Sequence, residues 1–378
     1  VSRNIGMIES RVINAPKRAP SVIQLGRRLV VFICLALLLT GAVWLWLAWQ
    51  HVRDEQLTRM ATTVRLVAAH ADHYFAALGN KLEVLARDLA PLDPVARPQE
   101  TLALLKAFRD AQPDLIGVGI VRPDGQLLAT TQSSPRARLP NMLSNPEMRA
   151  DYEKALRTDG LSIGRPQPGY LAGRWVIYAR HTVRDRSGKV SYLIQAGILL
   201  EKQQALWHSL GLEADAALGL LREDGYLISR IPGPPSADLY NRPALGGALY
   251  AATRVQPQAG YYQGRVVDGS YRFGAYQRLA RQPMYAFLSH RPATLVAAWW
   301  EDVRLPLMLA LGFLLAGVIG YWRIAARYRG RLRAVETRLS EPGTGATAEL
   351  PSSGMREIDT LVAVLADTQA QLRSAALN

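Results

Sequence analysis

Two apolar runs and one long helical stripe organise this chain. Residues 29–49 (LVVFICLALLLTGAVWLWLAW) and 305–322 (LPLMLALGFLLAGVIGYW) carry no charge. At 1.5 Å per residue the first run reaches ~30 Å, the thickness of a bilayer's hydrocarbon core. Trp44, Trp46 and Trp49 lie toward one end of it, and Trp299, Trp300, Tyr321 and Trp322 bracket the second; such rings favour the headgroup level. From Leu57 the apolar positions fall at Met60, Val64, Val67, Ala71, Tyr74, Leu78, Leu82, Leu85 and Leu89, with no proline before Pro91. Steps of three and four predict one amphipathic helix of roughly 40 residues continuing from the first run. A second, short helix is predicted over 99–111.

Period-two patterns follow. LIGVGIV (115–121), Arg122-Pro-Asp-Gly125 and QLLATT (126–131) predict a hairpin, because Asp-Gly suits the positive φ of a tight β-turn. A loop with small helices is predicted through 145–156. Strands at 175–183 and 190–200, joined through Asp185-Arg-Ser-Gly188, form a second hairpin. The next hundred residues repeat the arrangement: 217–223, Asp224-Gly225 and 226–231, then strands at 261–267, 270–279 and 284–291. GIVRPDGQLLAT aligns with GLLREDGYLISR without a gap. An internal repeat of this kind predicts an α+β architecture: a long N-terminal stalk helix, two similar antiparallel-sheet lobes and two transmembrane helices.

Charge sets the direction. The net charge is +14, and much of it flanks the apolar runs rather than forming the aromatic-studded patch of a nucleic-acid binder. Arg3, Arg11, Lys17, Arg18, Arg27 and Arg28 precede the first run, and Arg323, Arg327, Arg329, Arg331 and Arg333 follow the second. Positive flanks stay inside, so both termini are predicted cytoplasmic, in a multi-pass membrane protein. The length and lack of a cleavage site in the first run mark it as an uncleaved anchor. The predicted organisation is a cytoplasmic tail (1–28), transmembrane helix 1 (29–49), an extracytoplasmic domain (50–304), transmembrane helix 2 (305–322) and a cytoplasmic helical segment (323–378). The single cysteine, Cys34, rules out an internal disulfide and a cysteine-based metal site.

Helix, two Asp-Gly lobes and a return to the membrane resemble the double Cache (tandem PAS-like) sensor domain over about 50–300. The carrying segments are ADYEKALRTDGLSIGRPQPGYLAGRWVIYARH (150–181), LLREDGYLISRIP (220–232) and VVDGSYRFGAYQRLARQPMYAFLS (266–289); they look most like the group linked to diguanylate cyclases. The resemblance implies a ligand pocket in the lobe farther from the membrane (about 100–205), the membrane-proximal lobe covering about 210–295. Amino-acid-binding members use an Arg-x-Trp-Tyr strand motif and a later Asp. Tyr170, Arg174, Trp175 and Tyr178 occupy the matching region, while the Asp position falls near Ala196-Gly197, where no acid stands. An ammonium group would lack its counter-charge, so Arg174, Arg180 and His181 point to a carboxylate or other anion as the small-molecule ligand.

Beyond the second run, 340–354 has linker composition, and Ile358, Leu361, Leu365 and Leu372 form a stripe suited to a parallel helical pair in a homodimer. Helix, connector and helix resemble a degenerate HAMP module. No catalytic motif is present: there is no GGDEF or EAL string, no P-loop and no His-Glu-x-x-His. His70 and His73 share a face of the stalk near Asp72 and read as solvated side chains, so no metal and no cofactor is expected. The expected function is a non-enzymatic transmembrane receptor that passes a ligand signal to a cytoplasmic output domain or partner protein, with no nucleic-acid partner. Two alternatives remain: the sensor portion of a diguanylate cyclase or histidine kinase whose catalytic domain would follow residue 378, and a structural envelope protein that binds no ligand.

Overall fold

The computed structural model describes residues 22–132, 139–169, 175–185, 187–200, 207, 210–340, 360, 363–364, 367–368 and 371. They belong to two compact units, Ala48–Glu301 and the residues outside that range.

The unit Ala48–Glu301 is built on the outer part of helix α1 (Val22–Leu89). Met60, Val64, Val67, Ala71, Phe75, Leu78, Leu82, Leu85 and Leu89 are buried along one side of it. Their three-four spacing keeps the apolar stripe continuous over the whole stretch. Each fully buried large side chain contributes roughly 1.5–3 kcal/mol over its exposed state. Helix α2 (Pro98–Asp110) follows, starting at a proline that needs no intrahelical N–H partner.

The first lobe comprises β1 (Leu115–Val121), β2 (Leu127–Thr130), α3 (Pro146–Arg157), β3 (Leu161–Pro168), β4 (Trp175–Arg184) and β5 (Val190–Leu199). The second comprises β6 (Ala217–Arg222), β7 (Leu227–Ile231), α4 (Ala248–Val255), β8 (Ala259–Arg265), β9 (Tyr271–Arg278) and β10 (Met284–His290). Both sheets are antiparallel with one topology, β2-β1-β5-β4-β3 and β7-β6-β10-β9-β8. The repeat extends to the turns. Gly125 and Gly225 have φ of 86° and 88°, the left-handed region that glycine reaches without strain. Each donates its N–H to the arginine three residues back at 2.8 Å, and each carbonyl accepts a bond from the covering segment, from Met142 and Ala244 respectively, at 2.7 Å.

Each sheet has two buried faces. In the first lobe Ile120, Ile177, Ala179, Ile194, Ala196 and Ile198 join the core that includes α1. Val121, Leu127, Val176, Tyr178, Leu193 and Leu199 join Met142, Met148, Tyr152 and Ala155 on the side covered by α3. The lobes meet through β3 and the β6–β7 hairpin, and the Trp175 and Tyr240 rings meet there at 5.2 Å between centroids.

Strand β3 was not predicted from the sequence. Gly164, Pro166 and Pro168 read as loop, but β3 is an edge strand, where missing donors do no harm, and its register shifts between Ile163 and Pro166. Helix α4 was also unpredicted; its eight residues are too few for a periodic signal.

In the other unit, the start of α1 and most of α5 (Pro292–Ser340) are helices long and apolar enough to cross a membrane. Phe32 and Phe313 are exposed on them, and Pro306 lies inside α5, a position that membrane helices accommodate. Gly26 lies against the Tyr321 ring. The predicted connector and stripe beyond Ser340 lie almost wholly outside the described residues.

Candidate functional site

On the α3-covered face of the first sheet lies a small cleft, lined among others by Gly117, Gly119, Thr130, Gln132, Met142, Tyr178, Gln195 and Gly197. Glycines alternate with larger residues on β1 and recur on β5, so three adjacent positions of the floor carry no side chain. A Cβ on Gly117 would come within 2.4 Å of the Gln132 side chain, and one on Gly197 within 3.0 Å of Ile116 and Val176. Gln132, Ile116 and Val176 occupy the space that side chains at these positions would take, so the glycines let their neighbours close onto the sheet.

Strand alternation sorts the predicted site residues. Tyr178 and Arg180 point to the cleft face; Trp175 and His181 point to the other, and this corrects the expectation that all of them share one pocket. Trp175 packs on Tyr240 of the second lobe. Burial lowers the pKa of His181, with Glu83 on α1 pulling the other way, and its buried Nδ1 has no hydrogen-bond partner among the described residues. Its physical role is that of a neutral side chain facing the stalk. Tyr170 and Arg174 lie outside the described residues.

Arg180 is the central cation. It is 1% exposed, its Nε donates to Gln195 Oε1 at 2.9 Å, and its Nη2 has no hydrogen-bond partner among the described residues. The Tyr178 and Tyr152 rings flank it, at 5.3 and 5.9 Å from the guanidinium carbon. A Cβ on Gly164 would lie 2.9 Å from its Nη1, so only glycine leaves room for it. Burial pulls its pKa down from the ordinary value, and Asp151 acts in the opposite direction. A guanidinium remains a cation at neutral pH even so.

Asp151 on α3 is shared by other cations. Its Oδ2 accepts the Arg165 N–H at 2.8 Å and Arg165 Nε at 3.2 Å. Its Oδ1 is 2.9 Å from Nη1 of Arg222, which belongs to the second lobe. Arg222 also donates to the Ile163 carbonyl at 3.1 Å and, through Nε, to Asp224 at 2.7 Å. Arg165 stands over the Tyr226 ring at 4.7 Å, and Lys154 reaches Asp224 at 3.4 Å. Burial raises the pKa of Asp151, but the charge of Arg222, the Arg165 amide and the charges of Arg165 and Arg180 outweigh it and hold the carboxyl below the usual range. Three arginines thus converge on one buried carboxylate beside the cleft, leaving the group rich in positive charge. This arrangement can receive a small anion; it contains no nucleophile–base pair.

Sequence reasoning missed Asp151, Arg165, Arg222, Gln195 and the floor glycines. A signal for Asp151 was present: it falls in the buried stripe Met148, Asp151, Tyr152, Ala155 of an amphipathic helix, where a lone acid demands a partner.

No protein-family model matches the sequence, and no curated protein does. Solved structures match the unit Ala48–Glu301 in fold. One is the extracellular domain of rpHK1S-Z16, assigned as a histidine kinase, with a TM-score of 0.53 and 23% identity over 65% of this chain and 98% of that one. Another is the periplasmic sensory domain of the Campylobacter jejuni chemoreceptor Tlp1, with a TM-score of 0.50 and 11% identity over 65% and 98%. At these identities the likeness is one of fold: the unit Ala48–Glu301 has the double-lobed, Cache-like architecture of extracytoplasmic sensory domains.

Proposed function

We propose that this chain is a transmembrane signal-transduction receptor whose first lobe binds a small anionic molecule, best a carboxylate, in the glycine-floored cleft beside Arg180. The observation that carries the reading is a buried guanidinium whose one direct hydrogen bond among the described residues goes to a neutral amide. Leaving a buried charge without full compensation costs several kcal/mol, and a carboxylate reaching Arg180 and Gln195 would supply the missing charge. The absence of an acid near Ala196 and Gly197 argues for an anion over an α-amino acid.

In this reading 29–49 and 305–322 cross a bacterial inner membrane, 50–304 lie outside, and 1–28 and 323–378 lie inside with a HAMP-like helical pair. The basic flanks support that orientation. Ligand binding favours one packing of the lobes on α1, and the change passes through the membrane helices of a homodimer to a cytoplasmic output domain or partner protein. Such coupling requires roughly 1–3 kcal/mol of difference in affinity between the two states.

Thermal melts of the full chain in lipid nanodiscs against a panel of small mono- and dicarboxylates test the binding step. At least one should raise the melting temperature in a dose-dependent way, and Arg180→Gln should abolish the rise. A panel that leaves the wild-type chain unmoved sinks the reading. A cysteine placed at Gly160, in a Cys34→Ala background, should react with an impermeant maleimide added outside intact spheroplasts; labelling only after lysis would reverse the topology.

A further inference from the structure

We infer that the second lobe holds a separate binding site, which takes a small monocarboxylate with an apolar tail. The lobe carries a small cleft on the face covered by α4, in the place that corresponds to the first lobe's cleft. Its chemistry differs. Thr130 of the first cleft aligns with Arg230 of the second. Arg230 is paired with Asp268 at 2.8 Å, and both are almost fully buried. A second guanidinium, Arg272, is 4% exposed and lines the same cleft. It donates to Ser270 Oγ at 3.0 Å and to the Asp215 carbonyl at 2.9 Å, both uncharged oxygens. Asp268 is already occupied by Arg230 and by the N–H and hydroxyl of Ser270.

Among the described residues that line the cleft, two guanidinium groups and one carboxylate are thus buried together, with Leu221, Leu249 and Phe287 in the walls. A buried cation without a counter-charge is costly, and a bound carboxylate would relieve that cost while its hydrocarbon part fills the apolar remainder. Apolar walls beside the Arg272 guanidinium favour a monocarboxylate with a hydrocarbon tail over a dianion or a sugar. This site uses none of the residues assigned to the first-lobe cleft, so the two stand or fall separately.

The test is isothermal titration of the full chain in nanodiscs with butyrate, hexanoate and benzoate, and with butyramide as the uncharged control. At least one of the acids should bind saturably, with butyramide at least about tenfold weaker. Arg272→Gln should weaken the bound acid by about tenfold or more, and Arg180→Gln should leave it unchanged. Val267→Trp, which places bulk at the half-exposed rim, should block binding without altering the ligand-free melting temperature, and it decides the matter if Arg272→Gln does not fold. Failure of all three acids to bind overturns the inference. So does binding that survives Val267→Trp, or that is lost with Arg180→Gln instead.

Discussion

The first turn of each lobe has the same backbone and a different employment. Arg122 and Arg222 both precede an Asp-Gly corner and both reach the aspartate two residues on. Among the described residues the Arg122 side chain reaches nothing further, and it is 47% exposed. Arg222 is 4% exposed because it continues into the first lobe, to Asp151 and the Ile163 carbonyl. The repeated corner supplies a rigid mount, and only one copy is turned into a joint between lobes. The clefts diverge in the same way: glycines, Gln195 and Tyr178 in the first, a buried ion pair, Arg272 and Phe287 in the second. Architecture follows the repeated pattern, whereas the chemistry of the cleft linings follows the positions where the copies disagree.

The comparison breaks hardest at Asp151. Asp151→Ala leaves Arg165 and Arg222 buried without their shared carboxylate and should destabilise the two-lobed unit by about 3–5 kcal/mol, read as a large drop in the melting temperature of the full chain in detergent. Arg222→Gln should fall close behind, because it strands Asp151 from the other side. An Asp151→Ala chain that melts like wild type removes the lobe joint from the account.

Acid provides the next separation. The folded pKa of Asp151 is depressed, so its contribution is fully present above the unfolded value near ~3.9 and is lost as pH falls through the lower folded value. Melting temperature measured from pH 7 downward should stay level until about pH 4 and then fall. In Asp151→Asn the curve should start lower and fall less steeply in that window. Parallel curves would mean that other carboxylates carry the acid response.

Far less of this was legible from the sequence at the joint than in the scaffold. The α1 stripe, the Asp-Gly corners and the alignment of 119–130 with 219–230 are local patterns, and each maps onto an observed element. Asp151, Arg165, Arg180 and Arg222 come from α3, β3, β4 and β6. No periodicity links them, and only the folded sheet order brings their charges together. Even within β4 the predicted basic cluster divides, since Arg180 and His181 are sequence neighbours and so point to opposite faces.

Gly119 and Gly219 sharpen the comparison at intermediate size. An added Cβ would meet the Ala129 carbonyl at 2.8 Å in the first lobe, but the Ser229 carbonyl at 2.4 Å and the Phe287 ring at 2.7 Å in the second. Gly219→Ala should therefore cost about 1–3 kcal/mol, and Gly119→Ala measurably less, in denaturant melts. The smallest effect belongs to Arg122→Gln, which removes an exposed pair and should stay within about 0.5 kcal/mol of wild type. A loss there as large as that of Arg222→Gln would erase the distinction between the two corners.

The central claim is that a small anion meets Arg180. The most direct measurement follows the Arg180 Nε–Hε resonance of the 15N-arginine-labelled full chain in nanodiscs, assigned by its loss in Arg180→Gln, during titration with the carboxylate that raises the melting temperature most. The account predicts a saturable shift of that resonance over the same concentration range as the thermal stabilisation. Stabilisation with the Arg180 resonance unmoved would contradict it.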